Sequence, residues 1–395
     1  VNPGHPRSDR LDALDGLRGI AILIVVWFHA WQICWAGMPY WHIFGHEFTL
    51  QPIPETGFLG VDLFFFLSGF CLFWPYARAA IEGRREPTLA HFADRRVRKI
   101  VPSYVATIAI LIAIGFARWD TFGHAVRDVG FHLLFIHNWF GATFGTIDGT
   151  MWSLGTEIQF YIVFPLIVWI FRKNPWVSWL GMCALALAWR VTFSHVDTYW
   201  IDDMMSQTPA VLDLFATGMI AAWIVPLLRV HAPRLVERQT LWTLVAIAGF
   251  VAFWFLILSV YAQKSLPHWD QYWKVWNRPL LGLAFAAIAI GSSFAHRIWH
   301  ALLANPVLVW LAAISYNLYL WHVPILRFWI GRGPFRSLAD VQGNHNLGLL
   351  YYAIAIPSAL AVGAAFTYGF ERPIMALRVN PFARGRPSVG ISEAQ

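Results

Sequence analysis

Charged residues are scarce in this sequence of 395 residues: Asp, Glu, Lys and Arg make up 13% of it, about half the roughly 25% of an average soluble domain. A chain this poor in charge cannot cover a water-facing surface, which excludes a water-soluble fold. Cysteine is scarcer still. Cys34, Cys71 and Cys183 all sit inside apolar runs, with no metal or redox spacing, so neither a disulfide framework nor a metal site is indicated. The sequence shows no internal repeat, and no appended soluble domain is expected. It also shows no cleavable signal: the first apolar run carries Arg18 near its start and is long enough to span, so it is expected to be a retained helix.

What is present is apolar and aromatic, with 58% hydrophobic residues and 23 tryptophans. Indole rings favour the headgroup level of a bilayer. Apolar windows long enough to span fall near residues 14–36, 57–77, 99–118, 152–171, 176–193, 208–228, 240–261, 279–296, 306–330 and 347–370. They predict an all-α polytopic membrane protein of about ten transmembrane helices. The stretch Val129 to Phe140 is too short to cross and reads as a re-entrant or interfacial segment.

The net charge of +7 is compatible with nucleic acid, but the basic residues lie in short loops between apolar runs. They indicate lipid topology and no nucleic-acid partner. Nineteen of the 29 lysines and arginines fall in segments that a cytoplasmic N-terminus would place inside. The expected organisation is therefore a cytoplasmic tail 1–13, a transmembrane domain 14–371 and a cytoplasmic tail 372–395, with the lipid bilayer as a partner.

Ionisable groups within spans are costly and mark where function is to be sought. Arg18 and His29 share a helix face about 16 Å apart along the axis. By window boundaries His29, Asp62, Glu157, Asp213 and His322 fall at one depth in the outer half, on five different spans. An intramembrane histidine also occurs as a hydrogen-bonded packing residue, and Asp213 with Arg190 also reads as a structural ion pair. On the inner side, Arg95 and Arg98 at i, i+3 share a face and suit an anionic phosphate, beside their simpler role as a topology anchor.

Five segments then carry a resemblance. LDGLRGIAILIVVWFH, GFLGVDLFFFLSGF (57–70), RRVRKIVPSY (95–104), MWSLGTEIQFYIVFPL (151–166) and SYNLYLWHVPI (315–325) together resemble, in order, the integral-membrane acyltransferase-3 family of bacterial O-acyltransferases. The resemblance covers nearly the whole chain. It implies a ten-helix domain that uses cytoplasmic acyl-coenzyme A, with no permanently bound cofactor, to modify hydroxyls of envelope glycans in the bacterial cytoplasmic membrane. It marks Arg18 with His29, Arg95 with Arg98, and the Trp152 to Glu157 segment as functional. Many relatives carry a further C-terminal soluble domain, and this chain resembles the stand-alone form.

The expected scheme gives catalysis to His29, Asp62 and Glu157, with His29 polarised by one of the two carboxylates. Donor binding falls to Arg18, Arg95 and Arg98. A carbohydrate or glycolipid acceptor falls to Trp152, Tyr161, Tyr316 and His322, although the aromatic residues serve equally well as packing or interfacial belt. An acyl-enzyme route through Ser68 or His29 stays open. Glu371-Arg372-Pro373 reads as a helix terminus with a local ion pair. The rival class is a proton-coupled transporter of a small anion.

Overall fold

The computed structural model describes residues 12–43, 45–194, 204–264, 266 and 273–377. Residues 1–11 and 378–395 of the expected tails lie outside them. Eleven helices carry the architecture: α1 (Asp12–Cys34), α2 (Leu59–Glu82), α3 (Leu89–Ala113), α4 (Phe122–Leu133), α5 (Trp152–Lys173), α6 (Pro175–Phe193), α7 (Leu212–His231), α8 (Gln239–Gln263), α9 (Arg278–Phe294), α10 (Pro306–Phe328) and α11 (His345–Phe366). Among the described residues, nine helices are long and apolar enough to cross a membrane. The chain is a multi-pass membrane protein of the all-α class.

The tenth expected span, 99–118, belongs to α3, which opens with charged residues from Asp94 to Lys99. Its apolar half, 100–113, is only about 21 Å long at 1.5 Å per residue, so α3 crosses the roughly 30 Å hydrocarbon core only with part of its charged half, its 25 residues together measuring about 37 Å. The stretch Val129 to Phe140 closes α4 and runs into a short 3-10 turn at His137–Trp139. It packs beside α3 and α5, where Tyr104 Oη donates to His132 O and Gln159 Nε2 donates to Phe135 O.

Helices α2 and α7 form the centre, each burying 78% of its most apolar stretch, against 17% for α6, 22% for α11 and 28% for α8. Lipid tails are as apolar as the side chains, so association rests on close packing and small residues. At the central crossing a Cβ on Gly69 would strike the backbone of Phe215, and one on Gly218 would strike the backbone of Phe66. α1 and α10 run side by side in one direction, with Gly19 against Leu308 near one end and His29 against His322 toward the other. Pro306 opens α10, and the Asn305 side chain accepts from Val307 N and Leu308 N.

The bundle has two unlike ends. One carries the antiparallel hairpin β1 (Tyr40–Ile43) and β2 (His46–Thr49), turned at Gly45 with φ +80°. No strand was read from the sequence there, because aromatic residues at a membrane interface mask the alternation. The other end carries the basic run of α3 and the Arg172–Glu86 pair at 2.7 Å. Inside the bundle Arg190 Nη2 meets Asp213 Oδ2 at 2.7 Å and Arg190 Nη1 donates to Ala210 O, so this pair ties α6 to α7.

Candidate active site

α1 delivers His29 and α10 delivers His322 to one point. His322 is fully buried, and its Nδ1 lies 2.7 Å from Tyr319 O, a contact that requires a proton on Nδ1. Its Nε2 is therefore an acceptor, and His29 Nδ1 stands 3.1 Å from it and 2.9 Å from Val25 O. Both neighbours of His29 Nδ1 accept, so that nitrogen carries its proton. The lone pair of His29 then falls on Nε2, a tautomer fixed by the second ring.

His29 lines a cavity of about 530 Å³ at the hairpin end, walled by aromatic residues including Phe58, Trp152 and Trp273. Asp62 lines it too, but its carboxylate faces Arg278 Nε at 3.4 Å rather than His29. Arg278 Nη1 in turn donates to Met205 O at 2.7 Å. At the rim, Lys264 Nζ pairs with Glu55 Oε2 at 3.0 Å and sits over the Trp31 ring. Both cations in this wall have an acidic partner, so the cavity offers a charge-balanced, largely aromatic surface with polar edges.

A second, narrower cavity of about 130 Å³ lies toward the basic end and is lined by Arg18, Arg96, Lys99, Ser68, Glu157 and Tyr316, among others. Ser68 Oγ and Tyr161 Oη both donate to Glu157 Oε1. Arg18 makes no hydrogen bond or ion pair to a described residue, and its guanidinium is available to a ligand. Lys99 is paired to Glu371, which also accepts from Asn317 Nδ2 at 2.7 Å. Tyr316 Oη donates to Ile100 O at 2.8 Å. One aromatic wall is common to both cavities: Tyr319, with Val61, lines each of them.

The acyltransferase-domain family matches residues 11–368. The chain belongs to this family. Among curated proteins, the peptidoglycan O-acetyltransferase OatA of Listeria monocytogenes is 24% identical over 332 residues, which cover 80% of this chain and 49% of that protein. The O-acetyltransferase OatA of Staphylococcus aureus is 24% identical over 339 residues, covering 80% of this chain and 51% of the relative. The chain spans about half the length of the curated relatives it matches. No solved structure matches it. Family membership decides for an enzyme over the transporter reading.

The candidate site differs in detail from the arrangement expected from sequence. The five groups placed at one depth divide among three places: His29, His322 and Asp62 at the larger cavity, Glu157 with Arg18 at the smaller, and Asp213 in its pair with Arg190. Trp152 and Glu157 stand about 7.5 Å apart along α5, enough to put them on opposite sides of the shared wall. Tyr161 and Tyr316 line the Arg18 cavity, and Trp152 lines the His29 cavity. Arg95 is exposed, while Arg98 pairs with Asp94 and donates to Leu377 O at 3.0 Å.

Arg96 and Lys99, not singled out from sequence, enter the cavity instead, Arg96 over the Tyr161 ring at 5.4 Å and Lys99 over the Tyr316 ring at 5.8 Å. Glu371 is a buried partner of Lys99 on a π-helical turn (Thr367–Glu371) rather than a local terminus pair. Among the described residues, no group of three His, Cys, Asp or Glu side chains is placed to hold a metal ion.

Proposed function

We propose that this acyltransferase moves an acyl group, acetyl above all, from cytoplasmic acyl-coenzyme A to a hydroxyl of an envelope glycan, with the peptidoglycan of the Listeria relative's name as the leading acceptor. The observation that carries the reading is that His29, whose lone pair falls on Nε2, lines a cavity that shares its Tyr319–Val61 wall with a cationic cavity. The donor's phosphates lie at the basic end near Arg96 and Lys99, and its slender pantetheine arm runs past Arg18 in the narrower cavity. The sugar occupies the larger cavity from the opposite side, where Trp152 offers a stacking face.

In this scheme His29 Nε2 takes the proton of the acceptor hydroxyl as its oxygen attacks the thioester carbon. A C–O bond forms, the C–S bond breaks, and the coenzyme A thiolate leaves and is protonated. His322 Nε2 accepts from His29 Nδ1 throughout, so the imidazolium formed is hydrogen-bonded without turning its ring. The test uses purified chain in nanodiscs of bacterial lipid with acetyl-coenzyme A and a soluble peptidoglycan fragment. Free thiol and glycan ester should appear together in the wild type and not with His29→Ala. Equal turnover by the variant would refute the assignment of His29, and no thioester turnover by the wild type would refute the activity.

A further inference from the structure

Tyr319 and Val61 are the residues common to the walls of the two cavities. Both are buried, and Tyr319 is held at each end. Its hydroxyl accepts from Ser153 Oγ at 2.6 Å and donates to Thr150 O at 3.0 Å, two anchors at the start of α5. Its carbonyl accepts from His322 Nδ1. Its ring meets Phe64 edge-on, with centroids 6.4 Å apart. A buried phenol with both hydrogen-bonding roles filled is fixed in place, because turning the ring away would strand the hydroxyl.

Helix packing alone would call for an aromatic ring here. It would not call for a hydroxyl tied to Thr150 just before the helix that carries Glu157 and to Ser153 in its first turn, nor for a ring that parts the polar cavity of Arg18 from that of His29. We infer that Tyr319, backed by Val61, is the specificity wall of the proposed reaction: it limits how long an acyl chain reaches His29 and keeps water of the larger cavity off the thioester. The inference rests on the activity proposed above. An acetyl group is short enough to lie against the wall with its carbonyl exposed to the acceptor. A longer chain has to displace the ring and both of its hydrogen bonds. Water that passes the wall attacks the thioester carbon instead of the sugar, breaking the C–S bond and giving the free acid and coenzyme A thiol.

Two variants separate the wall from a packing role. Tyr319→Phe keeps the ring and loses the tether, and Val61→Ala opens the wall from the other side without touching the phenol. Full-length chain in nanodiscs is given acetyl- or hexanoyl-coenzyme A with the peptidoglycan fragment, and thiol released and glycan ester formed are both counted. Tyr319→Phe should raise thiol released per ester formed by about fivefold, the worth of one lost hydrogen bond. Val61→Ala should raise the hexanoyl-to-acetyl ratio of kcat/KM by about tenfold, the usual worth of methylene-scale space in a pocket. A wild type that turns over while both variants keep its two ratios would overturn the wall and leave the activity standing. A wild type with no thioester turnover would overturn both.

Discussion

His322 Nε2 lies 3.1 Å from His29 Nδ1, and the far nitrogen of His322 ends on the Tyr319 carbonyl. The relay behind His29 therefore closes on a peptide group, where a carboxylate from Asp62 or Glu157 was expected. A peptide oxygen orients the imidazole and accepts its hydrogen bond but brings no full negative charge. Removing the base should cost far more than removing its partner.

His29→Ala should lower kcat by about 10²–10⁴-fold, the usual share of general-base catalysis. His322→Ala should lower it by about tenfold, the worth of one orienting hydrogen bond. Initial rates of thiol release at saturating donor check both. A loss at His322 as large as that at His29 would make His322 the base.

The two cationic pairs on α3 give opposite expectations. Arg96→Ala with Lys99→Ala should raise the KM for acyl-coenzyme A by about 10–100-fold, since a hydrogen bond to a charged group is worth about 1.5–3 kcal/mol. Arg95→Ala with Arg98→Ala should change it less, because Arg95 is exposed and neither residue lines the cavity. Calorimetric titration with coenzyme A ranks the two pairs, and the reverse ranking would return the donor phosphates to Arg95 and Arg98.

Sidedness follows from the charge count. With the basic end in the cytoplasm, Phe122→Cys on exposed α4 should react with an impermeant thiol reagent from outside, and a Cys at exposed Ala90 from inside. Gly57 is a poor probe site, because any side chain there meets the Ile24 carbonyl. Both sites labelling from one face would overturn the orientation.

Burial pushes the Asp148 carboxyl up to about 6, against hydrogen bonds from Thr150 N and Oγ1. A folded value above the unfolded one of about 3.9 favours the fold below that pH and loses this support as pH rises through 6. Asp128 runs the other way. Burial opposes its ionisation, but hydrogen bonds from His132, Thr146 and Trp119 outweigh burial and hold it low, so its support is present above about pH 3.9 and fails only in stronger acid. Burial and the neighbouring His132 push His137 down to about 3, which weakens the fold as pH falls below about 6.5, equally in wild type and variant. Asp148→Asn should thus gain on the wild type by about 1 kcal/mol between pH 5 and 7.5. Paired thermal midpoints in detergent read this, and a constant difference would place Asp148 in contact with water.

Much of the bundle was legible because apolar length and charge asymmetry report directly on a bilayer; helical phase put Arg18 and His29 on one face, but not the two cavities they line. Which of two equivalent pairs on α3 faces inward was not. Arg95 with Arg98 and Arg96 with Lys99 have the same spacing, and only packing of α3 beside Tyr161 and Tyr316 chooses between them. The partner of His29 was hidden for a related reason. Window boundaries blur depth by a few residues, and a few residues along α5 separate one cavity from the other.

The thinness of the Tyr319–Val61 wall bears on the electrical side of catalysis. In the proposed reaction the donor phosphates stay at the basic end and do not enter the field, where each charge moved would cost about 2.3 kcal/mol per 100 mV. Only an uncharged acyl group passes the ring, and the proton lost by the sugar is matched by the one gained by the thiol. On the proposed scheme the enzyme would export a chemical group across that wall without exporting its carrier, and the membrane potential would have little to push against.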